Sequence, residues 1–219
     1  MSLGASWLDG SRTATHGRDA ASSLHAEGFP SLTSVEIDVT SDKSIAAAKE
    51  LIEQQYGRLD VLVNNAGIAL DVKEKGNYPM REMMQRTFDV NVFGAAAATE
   101  TFLPLLEKSP NPRIVFTSSS VGLLTRTADC SDPWSSAPIP AYRVSKAALN
   151  MLMLYYTNQL LQKGFKVNAS CPDYIGTNLN SGRGTGTLYQ GAENLVRLAV
   201  LDKDGVTGTF STAEETRPW

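Results

Sequence analysis

Tyr142 and Lys146 stand four residues apart in the run Ala-Tyr-Arg-Val-Ser-Lys (141–146), a pairing of types that suits proton transfer. On a helix that spacing puts both side chains on one face, close enough to interact. An ammonium held beside a phenol favours the phenolate and lowers a pKa that is ordinarily about 10. A tyrosine tuned in this way can give a proton to, or take one from, a carbonyl or hydroxyl oxygen. Taken alone the pair is weak, because an exposed helical Tyr and Lys have the same spacing. Three polar groups upstream give it company. Asn64-Asn65-Ala66-Gly67 follows the apolar run 59–63, and Asn91 sits in Asp-Val-Asn-Val-Phe-Gly (89–94). Ser118-Ser119-Ser120-Val121-Gly122 follows the apolar run 114–116.

The elements that must hold these groups alternate between two periodicities. Short β-branched runs over 33–37, 59–63, 113–117, 165–170 and 208–211 read as buried strands, with an earlier one around 7–11. Between them lie helical stretches. Residues 42–56 place Ile45, Ala48, Leu51 and Ile52 on one side, with Ser41 or Asp42 as N-cap. Residues 80–106 read as one long helix or a broken pair, 141–163 as an apolar-faced helix closed by Gly164, and 188–201 as a last amphipathic helix. Strand and helix in alternation imply an α/β protein with a doubly wound parallel sheet built from right-handed crossovers. Ligands of such sheets bind beyond the carboxyl ends of the strands, where Asn64, Ser119 and the segment after Ser170 would share one rim. No repeat or linker interrupts the chain, so 1–219 reads as one domain with an irregular leader over 1–10.

At 219 residues and 42 % hydrophobic, the chain can build a full core. Its net charge of −3 and scattered basic residues argue against nucleic acid or an anionic membrane as partner. No apolar run approaches the ~20 residues of a membrane span. The start lacks the basic and apolar regions of a signal peptide, and Cys130 and Cys171 have no metal or CxxC spacing. No metal site is expected, and a reduced, cytoplasmic chain is the simplest reading. His16 and His25 read as surface residues.

The four groups, in this order, resemble the short-chain dehydrogenase/reductases, over about residues 10 to 219. Family members carry N-N-A-G after one strand, an Asn in the next helix, S-S-x-x-G after another strand and Y-x-x-x-K on the following helix. The long segment between Ser119 and Tyr142 resembles carbonyl-reductase-type members in particular. The resemblance implies a Rossmann-like fold and a hydride transfer between a nicotinamide cofactor and a small carbonyl or alcohol substrate. It implies that Tyr142 protonates the carbonyl oxygen and that Ser119 donates to the same oxygen. Lys146 would tune the tyrosine and, with Tyr142 beside it, hold the nicotinamide ribose; Asn91 would fix a proton-relay water. Asp38 would meet the adenine ring, and Asn64, Ala66 and Gly67 its ribose. The run 172–177 matches the P-G-x-x-x-T loop over the nicotinamide, with the Ile175 backbone and the Thr177 hydroxyl in contact. Arg12 sits where members that prefer the phosphorylated cofactor carry a basic residue, so NADP(H) is expected over NAD(H). The long Ser-to-Tyr segment implies a monomer, since in related proteins it covers the surface used for association.

Two departures from the family pattern shape the expectations. Asp173 stands where the family usually has glycine. The opening strand and its glycine-rich phosphate turn, T-G-x-x-x-G-I-G, have no counterpart, so the sheet is expected to lack its first central strand. Strands near residues 8 and 35 would then stay apart from the rest or slip across to pair with 59–63. The alternative function is accordingly a truncated, catalytically silent relative unable to hold the cofactor tightly. Gly182-Arg-Gly-Thr-Gly (182–186) reads as part of a substrate lid rather than as a substitute anion loop.

Overall fold

Strand and helix ends in the computed structural model, which describes residues 6–74 and 76–219, follow local chemistry closely. The chain divides into two compact units between Gly57 and Arg58. In the first, strands β1 (Trp7–Ser11) and β2 (Leu32–Glu36) pair in parallel, Trp7 opposite Leu32 and Ser11 opposite Glu36. Helix α2 (Asp42–Tyr56) starts where the Ser41 hydroxyl accepts from the Ser44 amide and ends at left-handed Gly57. Its buried face is Ile45, Ala48 and Ile52, whereas Leu51, expected beside them, is exposed. Helix α1 (Ala14–Ala26) has no apolar stripe to announce it; its buried residues are Gly17 and Ala21. A Cβ on Gly17 would come within 2.9 Å of Ser34 and 3.1 Å of Ser11, so the helix rests on both strands through its smallest residue. The irregular leader expected up to residue 10 is strand from Trp7 onward, and residues 1–5 lie outside the described residues.

The second unit holds a five-stranded sheet in the order β3 (Val61–Asn64), β4 (Arg113–Thr117), β5 (Lys166–Ser170), β6 (Phe210–Ser211) and β7 (Thr216–Arg217). All pairs are parallel except β6–β7, a short antiparallel return that the sequence did not announce. Val115 stands opposite Val63 on one side and Asn168 on the other. This is the Rossmann-like α/β architecture that the alternating pattern implied. The strand pairings fall into two sets, and among the described residues no ladder joins β1–β2 to β3.

Around this sheet lie α3 (Leu70–Lys73), α4 (Met80–Phe88), α5 (Ala95–Leu106), α6 (Leu124–Ala128), α7 (Pro140–Leu160) and α8 (Leu188–Ala199). The stretch 80–106 is one helical path whose middle, Asp89–Gly94, widens into a π-helical turn. Pro140 opens α7, where its missing N–H is harmless, and a short 3-10 turn carries the chain to left-handed Gly164. Val115 packs with Leu198 and Ala199, flanked by Val61, Val63, Leu195 and Leu201. These contacts clamp α8 to the middle of the sheet and fix the height at which the strand ends emerge.

Candidate active site

Three strand ends meet along one rim of the second unit. The Thr117 hydroxyl donates to Asn65 Oδ1 (3.0 Å), joining the segment after β4 to that after β3. The Ser118 amide donates to the Ser170 carbonyl (2.8 Å) and carries the ladder one step past β5. Asn64 is buried and donates to Thr99 Oγ1 at 3.0 Å, which anchors the end of β3 on α5. Gly122 ends the serine-rich turn against α7. A Cβ there would lie 2.8 Å from Lys146 Cβ and 2.9 Å from the Ala147 amide, closer than packed atoms tolerate. The glycine thus lets the turn bearing Ser119 touch the helix at the residue from which Lys146 springs.

Tyr142 and Lys146 point to the same place. Lys146 Nζ lies 5.6 Å from the centre of the Tyr142 ring, and the Ser119 side chain is hydrogen-bonded to the phenol. Lys146 is only 3 % exposed, and its ammonium donates to the Thr117 carbonyl at 2.7 Å. Removal from water pushes its pKa down to about 8. The phenol behaves differently from the sequence expectation. Burial holds Tyr142 well above the ordinary phenol range, opposed by the Ser119 hydrogen bond and reinforced by nearby Cys171 and Asp71. The lysine does not overcome this, because its own charge is destabilised by the same enclosure. In this state the tyrosine is an acid that keeps its proton at neutral pH.

Asn91 is fully buried in the π-helical turn. Its Oδ1 accepts from the Ile68 amide (2.8 Å), while Nδ2 donates to the Ile68 carbonyl (2.9 Å) and to Ser145 Oγ (3.0 Å). It therefore links the segment after β3 to α7, and a π turn is a common way to aim a side chain at a functional site. Gly67 leaves the space beside it open: a Cβ there would stand 3.4 Å from Lys146 Nζ and 3.5 Å from Asn91 Oδ1. Ala66, next to it, is exposed.

The remaining candidates occupy two places. In the first unit, Arg12 is exposed just after β1 and lies near enough to Asp38 to stabilise its carboxylate. Asp38 accepts from the Thr40 amide (2.9 Å) and hydroxyl (2.7 Å), which hold its pKa below the usual carboxylate range. In the second unit the loop after β5 turns back at Asp173, whose φ of 63° is left-handed. Glycine adopts this conformation freely, whereas an aspartate here is a strained residue. Asp173→Gly is expected to stabilise the fold by about 0.5–1 kcal/mol, the relief of strain exceeding the added freedom of the unfolded chain. Urea denaturation checks this, and a less stable variant would contradict it. Beyond it, the Ile175 amide donates to the Asp173 carbonyl (3.2 Å), and Thr177 caps the turn Asn178–Asn180 by accepting from the Leu179 amide (3.2 Å). The 182–186 run packs backbone to backbone on this loop, with Gly186 bridged to Ile175.

Sequence reasoning missed two residues that build the site, Arg143 and Asp71. Arg143, next to Tyr142, donates to the Trp134 and Ser135 carbonyls (2.7 and 2.8 Å) and to Thr127 Oγ1 (2.7 Å), pinning the long segment 123–140 onto α7. Trp134 in turn packs against Tyr174 with the rings tilted at 56° and their centres 5.3 Å apart. Asp71 accepts from the Tyr142 amide at 3.0 Å. Neither acts through a spacing motif: the partner of Asp71 lies 71 positions away, and those of Arg143 lie 8 to 16 positions upstream, off its own helix. Among the described residues no group of His, Cys, Asp and Glu is placed to hold a metal, and no helix is long and apolar enough to cross a membrane.

A parallel sheet with a Ser–Tyr–Lys cluster at its rim is the frame of a nicotinamide-dependent oxidoreductase, and comparison with known proteins agrees. The family model described as short chain dehydrogenase matches residues 1–187. The chain is 39 % identical over 216 residues to the short-chain dehydrogenase/reductase ATR10 of Stachybotrys chlorohalonatus, covering 92 % of this chain and 76 % of that one. It is 30 % identical to the (+)-neomenthol dehydrogenase of Capsicum annuum, covering 82 % of this chain and 78 % of the relative. Its fold superposes with a TM-score of 0.84 on an NADPH-bound carbonyl reductase from chicken fatty liver, at 24 % identity and covering 100 % and 90 % of the two chains. The chain belongs to the short-chain dehydrogenase/reductase family of NAD(P)-dependent oxidoreductases.

Proposed function

We propose that the protein reduces a small aldehyde or ketone to the alcohol with NADPH, with Tyr142 as the acid, and runs the reverse reaction at higher pH. The observation that carries this reading is the Ser119–Tyr142 hydrogen bond with the Lys146 ammonium beside the ring. A carbonyl oxygen placed between the two hydroxyls would take a hydrogen bond from each. As negative charge grows on that oxygen, Ser119 stabilises it and Tyr142 gives up its proton. A phenol that holds its proton at neutral pH suits this direction, whereas alcohol oxidation needs the phenolate and therefore alkaline conditions. Bound NADPH would supply the hydride.

The cofactor's nicotinamide-ribose end fits the residues present. Lys146 has one acceptor, the Thr117 carbonyl, which leaves two N–H groups for ribose hydroxyls. Gly67 leaves open the space that a side chain would fill beside Lys146 and Asn91. Asn91 fixes the Ile68 backbone next to that space and would hold the relay water. The Thr177 hydroxyl, which only accepts in its cap, retains its proton for the carboxamide or a phosphate. Asn64, Ala66 and Asp38 would line the adenosine half. The exposed Arg12 fork suits a 2′-phosphate, which supports NADPH over NADH.

A second reading, a relative that is catalytically silent for want of tight cofactor binding, is favoured by one observation. Asp173, where the family usually has glycine, holds a left-handed φ of 63° in the loop proposed to lie over the nicotinamide. Fluorescence titration with NADPH separates the two. Saturable binding at micromolar concentration is expected; no binding up to about millimolar would replace the reductase reading with the silent one.

A further inference from the structure

Asp71 is buried to 95 % and belongs to no motif. One carboxylate oxygen accepts from the Tyr142 amide at 3.0 Å, inside the first turn of α7. The other, Oδ1, is enclosed and has no hydrogen-bond partner. A buried charged oxygen without a partner is costly, and an apolar residue would fill the site at no such cost. That arrangement invites a functional explanation.

We propose that Asp71 is a positioning residue for Tyr142: its carboxylate ties the segment after β3 to the first turn of α7 and stands beside the phenol as a negative group. The inference rests on the reductase reading above, because it gives Tyr142 the task of donating a proton. The geometry has three parts. The hydrogen bond to the Tyr142 amide satisfies one of the free N–H groups at the start of a 21-residue helix, where negative charge is also favourable. The same short helix, α3, begins three residues after Gly67, so the tie fixes the height of Tyr142 relative to the open space beside Lys146. The second oxygen, finally, has no hydrogen-bond donor beside it, and the carboxylate opposes ionisation of the phenol.

The groups facing the phenol come from every element packed on it. Lys146 lies one turn along α7, Ser119 comes from the turn after β4, Cys171 from the end of β5 and Asp71 from α3. On the elements that pack against α3, the turn Asn178–Asn180 carries no charge. On α4, Arg81 and Arg86 are exposed, and Arg86 is paired with Glu82 at 2.7 Å. Asp71 is thus the group on α3 with a direct electrostatic effect on the phenol, and it acts in the sense opposite to the Ser119 hydrogen bond.

Two variants separate the tie from the charge. Asp71→Asn keeps an oxygen for the Tyr142 amide and removes the charge; Asp71→Ala removes both. Hydrogen exchange of the Tyr142 amide, followed by NMR, reads the tie without any need for turnover. Exchange is expected to stay near the wild-type rate in Asp71→Asn and to quicken at least about tenfold in Asp71→Ala. The pH dependence of kcat for NADPH-dependent reduction of 4-nitrobenzaldehyde reads the charge. Its alkaline limb is expected to move down by about 0.5–1 pH unit in Asp71→Asn, with KM little changed. Unchanged exchange in Asp71→Ala, or superimposable pH profiles for wild type and Asp71→Asn, would overturn the proposal. Absence of turnover in the wild-type chain would instead sink the reductase reading, and the exchange rate alone would then decide whether Asp71 holds the helix.

Discussion

Tyr142→Phe lowers kcat for carbonyl reduction by about three orders of magnitude, within the 10²–10⁴ that a positioned acid contributes, and leaves the fold intact. The substitution keeps the ring, so the contact with the Lys146 ammonium 5.6 Å away and the packing at the start of α7 survive. What disappears is the hydroxyl and its hydrogen bond with Ser119. Losing one hydrogen bond changes stability by about 1 kcal/mol, part of which is recovered because a buried polar group goes with it. The expected result is therefore a large kinetic loss beside a small shift in melting temperature, with NADPH binding little altered. Steady-state assay by NADPH absorbance and a thermal melt on the same preparation check both halves. More than about a tenth of wild-type turnover in the Phe variant would remove Tyr142 from the chemistry, since a missing acid cannot cost so little.

The candidate cluster was legible in the sequence because its members obey spacing rules that local structure enforces. Tyr142 and Lys146 share a helix face, and Ser119 and Asn64 follow apolar runs that could only be strands. The limits of β4 and α2 matched expectation for the same reason: β-branched runs and a Ser cap are local signals. Helix α1 went unseen since its packing relies on Gly17 and Ala21, small residues that leave no hydrophobic period. The π-helical turn at Asn91 is a matter of one extra residue per turn, which no periodicity over 80–106 resolves. Asp71 acts on a partner 71 positions away, and Arg143 on groups 8 to 16 positions upstream in a segment without periodicity. The direction of the phenol's shift was misjudged for a related reason. A sequence shows which charges are neighbours, whereas the extent to which both are stripped of water depends on the whole rim.

That loss of water gives Lys146 the second large effect. Its ordinary pKa of 10.5 falls to about 8 in the folded chain because enclosure disfavours the ammonium. The sign follows from proton binding. Between about pH 8 and 10.5 the unfolded chain holds a proton on this lysine that the folded chain has released, so folding becomes more favourable as pH rises through that window. Below pH 8 both forms are charged, and the folded state carries the full penalty, up to about 3 kcal/mol. Lys146→Met, similar in length and apolar, removes that penalty together with the hydrogen bond to Thr117, worth about 1 kcal/mol. At pH 7 the variant is expected to be more stable than wild type by about 1–2 kcal/mol, an advantage that disappears by about pH 10. Its turnover should fall at least about a hundredfold, because the proposed ribose contact and the buried ammonium beside Tyr142 are both lost. Urea denaturation at the two pH values and steady-state kinetics measure the two effects separately. A methionine variant less stable than wild type at pH 7 would mean that the ammonium is held by more than the Thr117 carbonyl. A stabilised but inactive one would show that this lysine is kept at the expense of the fold for the sake of the reaction.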